Sequence, residues 1–94
     1  MFTLIDTIGI NPDFYPASAL AVLPEVLGVR RLRFATLVDA CAEGRTRSRS
    51  WESGEARTVT VEGPDGARYW ITPNGNVYAG TSRDWTPKAQ RVAV

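Results

Sequence analysis

The sequence predicts an α+β fold in which two to three short N-terminal helices pack on a three- to four-stranded antiparallel β-meander. Two observations predict it. The pattern Pro-(Asp/Asn)-Gly-x-x-Tyr occurs twice, at 64–69 and at 73–78, and a nine-residue period with turn residues in each repeat is typical of a meander. Upstream of this repeat, apolar residues recur at helical spacing.

The length of 94 residues corresponds to one domain. We expect a mainly helical part at 1–44, the antiparallel meander at 45–80 and a tail at 81–94. Composition supports a folded chain, because 44% of the residues are hydrophobic and 22% are charged, as in ordinary globular proteins.

Three segments make up the predicted helical part. Residues 2–10 suit either a short strand or a helical turn, and the sequence leaves both open. A helix is predicted at 17–27, where Leu20, Leu23 and Leu27 are spaced as on one face and Gly28 follows as a stop. The next helix is predicted from Arg31 to Glu43. Its apolar face comprises Phe34, Leu37, Val38 and Cys41, its polar face comprises Thr36, Asp39 and Glu43, and Gly44 follows as its C-cap.

Turn chemistry sets the register of the meander. Gly63-Pro64-Asp65-Gly66 fits a type I turn with Gly66 in the left-handed conformation, and Thr72-Pro73-Asn74-Gly75 repeats it. The first turn pairs Glu62 with Arg68, Val61 with Tyr69, Thr60 with Trp70 and Val59 with Ile71. The second pairs Ile71 with Val77, Trp70 with Tyr78 and Tyr69 with Ala79.

These two registers agree on the two faces of the sheet. The predicted core face holds Val59, Val61, Tyr69, Ile71, Val77 and Ala79. The predicted outer face holds Thr58, Thr60, Glu62, Arg68, Trp70, Thr72 and Tyr78.

An Arg-rich segment precedes the meander. Arg45, Arg47, Arg49 and Trp51 alternate with other residues, which indicates either a first edge strand or a loop. As a strand turning at Ser53-Gly54, it would pair Arg49 with Thr58 and add its alternate residues to the outer face. The predicted partner-binding residues are therefore Arg45, Arg47, Arg49, Trp51, Arg68, Trp70 and Tyr78.

Residue types limit the chemistry. There is no histidine and one cysteine, which excludes a catalytic triad with histidine, a His-ligated metal and an internal disulfide. Asp39 and Glu43, four residues apart, are better explained as a solvated helix face than as a divalent-ion site. We therefore expect no enzyme, cofactor or metal site. The absence of a basic leader and of a long apolar run predicts a soluble cytoplasmic protein without a membrane segment.

The net charge of +1 is uneven, since residues 30–49 hold six of the eleven basic residues and two acids. The predicted function is a small interaction or regulatory protein that binds and modulates a larger protein or nucleoprotein complex, a profile shared with phage- or mobile-element-encoded inhibitors such as anti-CRISPR proteins. No motif identifies such a family. The alternatives are a nucleic-acid-binding module with a basic-aromatic sheet face and a self-associating subunit, such as a homodimer.

Overall fold

The structure, a computed structural model, describes residues 1–24, 26–50, 54–80 and 90–94. These residues form a six-stranded antiparallel sheet with the strand order β2-β1-β3-β4-β5-β6 and one long helix packed on one face. The elements are β1 (Phe2–Ile10), α1 (Ala17–Leu20), β2 (Val26–Phe34), α2 (Leu37–Ser48), β3 (Glu55–Glu62), β4 (Arg68–Ile71), β5 (Val77–Ala79) and β6 (Arg91–Val92).

The expectation of two to three N-terminal helices on a three- to four-stranded sheet is wrong. Among its described residues, the segment predicted as a helix at 17–27 is helical only at Ala17–Leu20, and Arg31 to Phe34 belong to a strand. Of the two structures left open for 2–10, the strand is present. The first two strands form a long hairpin, with Leu4 opposite Leu32 and Phe2 opposite Phe34, so that this part of the chain holds more strand than helix.

The register of the meander is confirmed at every predicted pair. β3 pairs with β4 from Val59–Ile71 to Glu62–Arg68, and β4 pairs with β5 from Tyr69–Ala79 to Ile71–Val77. Both turns carry their glycine at positive φ, 78° at Gly66 and 85° at Gly75, a conformation that favours glycine.

The Arg-rich segment is neither an edge strand nor a loop at 45–48, because those residues end α2. β3 pairs on its other side with β1, with Thr7 opposite Thr58, and not with Arg49 as predicted. The predicted Ser53-Gly54 turn and Trp51 involve residues 51–53, which lie outside the described residues.

Thr36 caps the start of α2, since its hydroxyl accepts a hydrogen bond from the Asp39 backbone N–H, a typical N-cap. Gly44 does not end the helix as predicted. Gly44 lies buried inside the helix, and a Cβ placed there would clash with Ile71 Cδ1. The glycine therefore permits close packing of the helix on the sheet. The buried core between them comprises Leu4, Ala40, Cys41, Val59, Val61, Ile71 and Val77.

None of the helices in the described part of the chain has the length and apolar character needed to cross a membrane.

Candidate functional site: the open face of the sheet and its β2 edge

The sheet has one face that α2 does not cover, which we call the open face. Side chains alternate between the two faces of a strand, and α2 packs against Leu4, Val59 and Ile71, so the residues that alternate with these lie on the open face. By register it holds Thr3, Ile5, Thr7, Val29, Arg31, Arg33, Thr58, Thr60, Glu62, Arg68, Trp70, Tyr78 and Arg91.

One cross-strand row of the open face spans all six strands of the described sheet. Its successive register partners are Arg31, Ile5, Thr60, Trp70, Tyr78 and Arg91. The Trp70 and Tyr78 rings lie 6.2 Å apart between their centroids at a tilt of 37°, within the range of favourable aromatic pairs. Both side chains are half-buried. The row thus places two aromatic rings in the middle of the sheet and one arginine at each end.

Charge on the open face is strongly positive. The open face carries one acidic residue, Glu62, and four arginines, namely Arg31, Arg33, Arg68 and Arg91. Four positive charges minus one negative give it a net charge of +3, compared with +1 for the whole chain. Glu62 lies 3.9 Å from Arg68 Nε, and both side chains are exposed, so this pair contributes little to stability.

Three arginines of the open face have guanidinium groups that contact no partner in the described part of the chain. Arg31, Arg33 and Arg91 make no side-chain hydrogen bond or ion pair with any other residue that the structure describes. Exposed and unpaired guanidinium groups can bind a partner's carboxylates or phosphates without first breaking an internal contact.

The structure separates the predicted site residues into two groups. It brings together Arg68, Trp70 and Tyr78 on the open face. Arg45, Arg47 and Arg49 instead lie on α2, on the opposite side of the sheet, and Trp51 lies outside the described residues.

The arginines of α2 bind groups of their own chain. Arg45 Nε donates to the Gly75 carbonyl at 2.8 Å, and its Nη2 donates to the Val94 oxygen. Arg49 is exposed, and its Nε donates to the Arg45 carbonyl at 3.2 Å. Arg45 therefore holds the β4–β5 turn and the last described residue against the helix.

A buried carboxylate joins α2 to the sheet. Asp6 in β1 is 1% exposed, and its two oxygens accept from Arg47 Nη1 and Arg57 Nε, each at 3.0 Å. Arg47 Nε also pairs with Glu43 at 2.9 Å. The pKa of Arg47 is raised above its ordinary value, mainly by the hydrogen bond to Asp6, with burial opposing and Glu43 reinforcing the shift. Both oxygens of the buried Asp6 carboxylate are thus hydrogen-bonded within the fold, as a buried charge requires.

Beside this cluster lies an open groove of about 370 Å³. It is lined by Asp6, Ile8, Gly28, Val29, Arg30, Arg47 and Arg57. Arg30 is exposed, is the register partner of Asp6 and has no side-chain partner among the described residues. Space is also open at Gly28, where a Cβ would meet no atom within 4 Å. This groove runs along the helix-covered side of β2.

An apolar surface lies before the start of β2. A groove of about 550 Å³ is lined there by Ile10 at the end of β1 and by Pro12, Leu20, Leu23 and Pro24 in the β1–β2 connection. The β1–β2 connection and the first half of β2 also carry exposed large apolar side chains, namely Phe14, Val22, Val26, Leu27 and Val29. Within β2, the exposed apolar residues therefore precede the arginines.

Sequence reasoning missed the arginines of β2. Arg30 to Phe34 reads Arg-Arg-Leu-Arg-Phe, and the alternation of Arg31, Leu32, Arg33 and Phe34 is the period of a strand with one apolar and one basic face. That signal was available. The helical spacing of Phe34 with Leu37, Val38 and Cys41 led to the wrong element, because this spacing crosses the boundary between β2 and α2.

No known protein family matches the chain, and no curated protein or solved structure matches it either.

Proposed function

We propose that this chain is a small non-enzymatic regulatory protein that binds and modulates a larger protein, and that the open face is its docking surface. The observation that carries the proposal is the row from Arg31 through Trp70 and Tyr78 to Arg91, which crosses the whole described sheet. Trp, Tyr and Arg are the residue types that contribute most binding energy at protein interfaces.

The charge of this face favours an acidic partner. Four arginines and one glutamate give it a net charge of +3, and complementary potentials increase both the rate and the specificity of association. Arg45 and Arg47 contribute to stability in this proposal, because their guanidinium groups bind the chain's own carbonyl and carboxylate groups.

Quantitative capture of binding proteins from the native host tests the proposal with two matched variants. Arg31→Glu and Arg49→Glu change the net charge equally, one on the open face and one on α2. We expect Arg31→Glu to reduce the captured amount of a specific protein by about tenfold, whereas Arg49→Glu captures as much as the wild type. Equal losses in both variants, or a loss with Arg49→Glu alone, would place docking elsewhere.

The inhibitor role predicted from the profile of phage and mobile-element proteins belongs to the same proposal. Capture of a component of a host defence complex, with inhibition of that complex by the wild type but not by Arg31→Glu, would support it.

Nucleic-acid binding is the second candidate, because the open face combines a +3 charge with two aromatic side chains, the combination that binds single strands. A salt-titrated gel shift with single- and double-stranded probes distinguishes it. Binding that weakens steeply with salt and is lost in Arg31→Glu would favour this candidate, and no shift at about 50 mM salt would eliminate it.

A further inference from the structure

The outer strand β2 leaves one edge without a neighbour in the described sheet. It is nine residues long and, among the strands that the structure describes, pairs only with β1. The opposite edge strand, β6, has two residues. A long exposed edge offers backbone N–H and C=O groups to another strand, so the main-chain groups of β2 decide what the edge can bind.

Alternation of hydrogen bonds identifies the residues that face outward. Asn11 N–H donates to the Gly54 carbonyl at 2.9 Å, which continues the β1–β3 register. In antiparallel sheets such hydrogen-bonded residues alternate along a strand, so odd-numbered residues of β1 bond to β3 and even-numbered ones bond to β2. Asp6 therefore bonds to its register partner Arg30, and Leu4 to Leu32.

It follows that Val29, Arg31 and Arg33 point their backbone N–H and C=O groups away from β1, toward the free edge. Arg31 and Arg33 also place on the open face their guanidinium groups, which have no partner among the described residues. The same two residues thus offer backbone pairing and positive charge to one incoming segment.

We propose that the free edge of β2 binds an extended acidic segment of the partner as a seventh strand. In an added antiparallel strand, the residues opposite Arg31 and Arg33 lie on the open face and the residue between them lies opposite Leu32. The segment therefore alternates acidic residues, which pair with the two arginines, with apolar ones. Strand addition of this kind takes affinity from the main chain and specificity from alternate side chains.

The chemistry of the edge favours an acidic partner strand over a second copy of this chain. β2 carries Arg30, Arg31 and Arg33 and no acidic residue at 26–34. A copy of β2 would bring three more arginines to the edge, and like charges across a strand pair are unfavourable. An acidic strand supplies the opposite charge at the same positions. This inference rests on the proposed function, because it names the part of the partner that docks beside the open face.

A nine-residue peptide that alternates glutamate with valine is a direct probe, with a control peptide in which lysine replaces each glutamate. In the free protein, we expect the amide protons of Val29, Arg31 and Arg33 to exchange with solvent faster than those of Arg30 and Leu32. Saturating glutamate peptide should slow exchange at the three outward amides, and the lysine peptide should bind at least about tenfold more weakly. Peptide binding without this protection, or equal binding of both peptides, would overturn the inference.

Val29→Pro removes an outward N–H without changing charge, and proline is tolerated at such edge positions. It should abolish peptide protection, whereas Val29→Ala should retain it. Faster exchange at Arg30 and Leu32 in Val29→Pro would mean that the β1–β2 pairing itself is disrupted. In that case, the effect of the peptide on the outward amides of the wild type alone decides whether the peptide adds as a strand. Protection of the outward amides that grows with protein concentration in the absence of peptide would assign the edge to a second copy and overturn the inference.

Failure of this inference can be told from failure of the proposed function. If Arg31→Glu captures less of the partner but Val29→Pro captures as much as the wild type, the partner docks on the open face without strand addition. If Arg31→Glu captures as much as the wild type, both proposals are wrong.

Discussion

The ion cluster around Asp6 gives the sharpest prediction about stability. Asp6 is buried in β1 and its carboxylate accepts one hydrogen bond from α2, through Arg47, and one from β3, through Arg57. Asp6→Asn removes the charge and replaces one acceptor oxygen by a donor that faces a guanidinium group. Both bonds should therefore weaken together, because each depends on the carboxylate.

The magnitude follows from these contacts. A hydrogen bond involving a charged group contributes about 1.5–3 kcal/mol. The two arginines are 18% and 16% exposed and regain some hydration, so the lower end applies to each bond. We expect Asp6→Asn to lower the free energy of unfolding by about 3 kcal/mol, and Tm by about 12–24 °C for a domain of this size.

Urea denaturation followed by circular dichroism measures this change. Glu62→Gln is the matched control, since Glu62 pairs with Arg68 at 3.9 Å between exposed side chains and its loss should cost less than about 0.5 kcal/mol. A double-mutant cycle of Asp6→Asn with Arg57→Gln should give a coupling energy above about 1 kcal/mol. A destabilisation equal to that of Glu62→Gln, with no coupling, would refute the reasoning.

Three further predictions concern the packing of α2 and the turns. Gly44→Ala should destabilise by about 1–2 kcal/mol in urea denaturation, because crowding against Ile71 outweighs the helix propensity of alanine; a stabilised variant would contradict the close packing. Gly75→Ala should cost about 1–2 kcal/mol, since its φ of 85° disfavours a side chain, and an unchanged Tm would contradict this. Burial raises the pKa of the Cys41 thiol, an effect that Arg45 partly offsets. The neutral Cys41 thiol therefore contributes its full stability below about pH 8.5, and this contribution is lost as pH rises through the higher folded pKa. Between pH 8 and pH 10, the wild type should lose more of its free energy of unfolding than Cys41→Ala. Equal losses in the two proteins would contradict this prediction.

Local turn chemistry made the C-terminal part of the fold predictable. Gly66 and Gly75 each fix a left-handed position in a short turn, and a short turn determines which residues pair. The registers of β3, β4 and β5 follow from these two turns alone. The aromatic pair of Trp70 and Tyr78 on one face was predictable for the same reason.

The N-terminal part was not predictable by the same means. β1 and β2 are joined by residues 11–25 and not by a tight turn, so no turn chemistry fixes their pairing. Gly44 resembled a helix end because the reason for a glycine there is the Ile71 side chain, which is distant in sequence. Residues 45–48 alternate arginine with a hydroxyl residue, a period of two that is typical of a strand. They are helical, and the side chains of Arg45 and Arg47 contact the β4–β5 turn and β1, which are distant in sequence.

These errors moved the candidate site. With Arg45 and Arg47 engaged on the helix side, the positive charge of the open face comes from Arg68, which was predicted, and from Arg31, Arg33 and Arg91, which the β1–β2 and β5–β6 pairings bring to that face. The face with the aromatic pair was predicted, and the basic residues that complete it required the three-dimensional structure.

Hydrogen–deuterium exchange of the protein alone and in complex with its captured partner tests the central claim most directly. If the open face and the β2 edge bind the partner, protection should appear in β2 and in the strands that carry Trp70 and Tyr78, while the exposed surface of α2 around Arg49 stays unchanged. Protection confined to α2 and the β4–β5 turn would contradict the account.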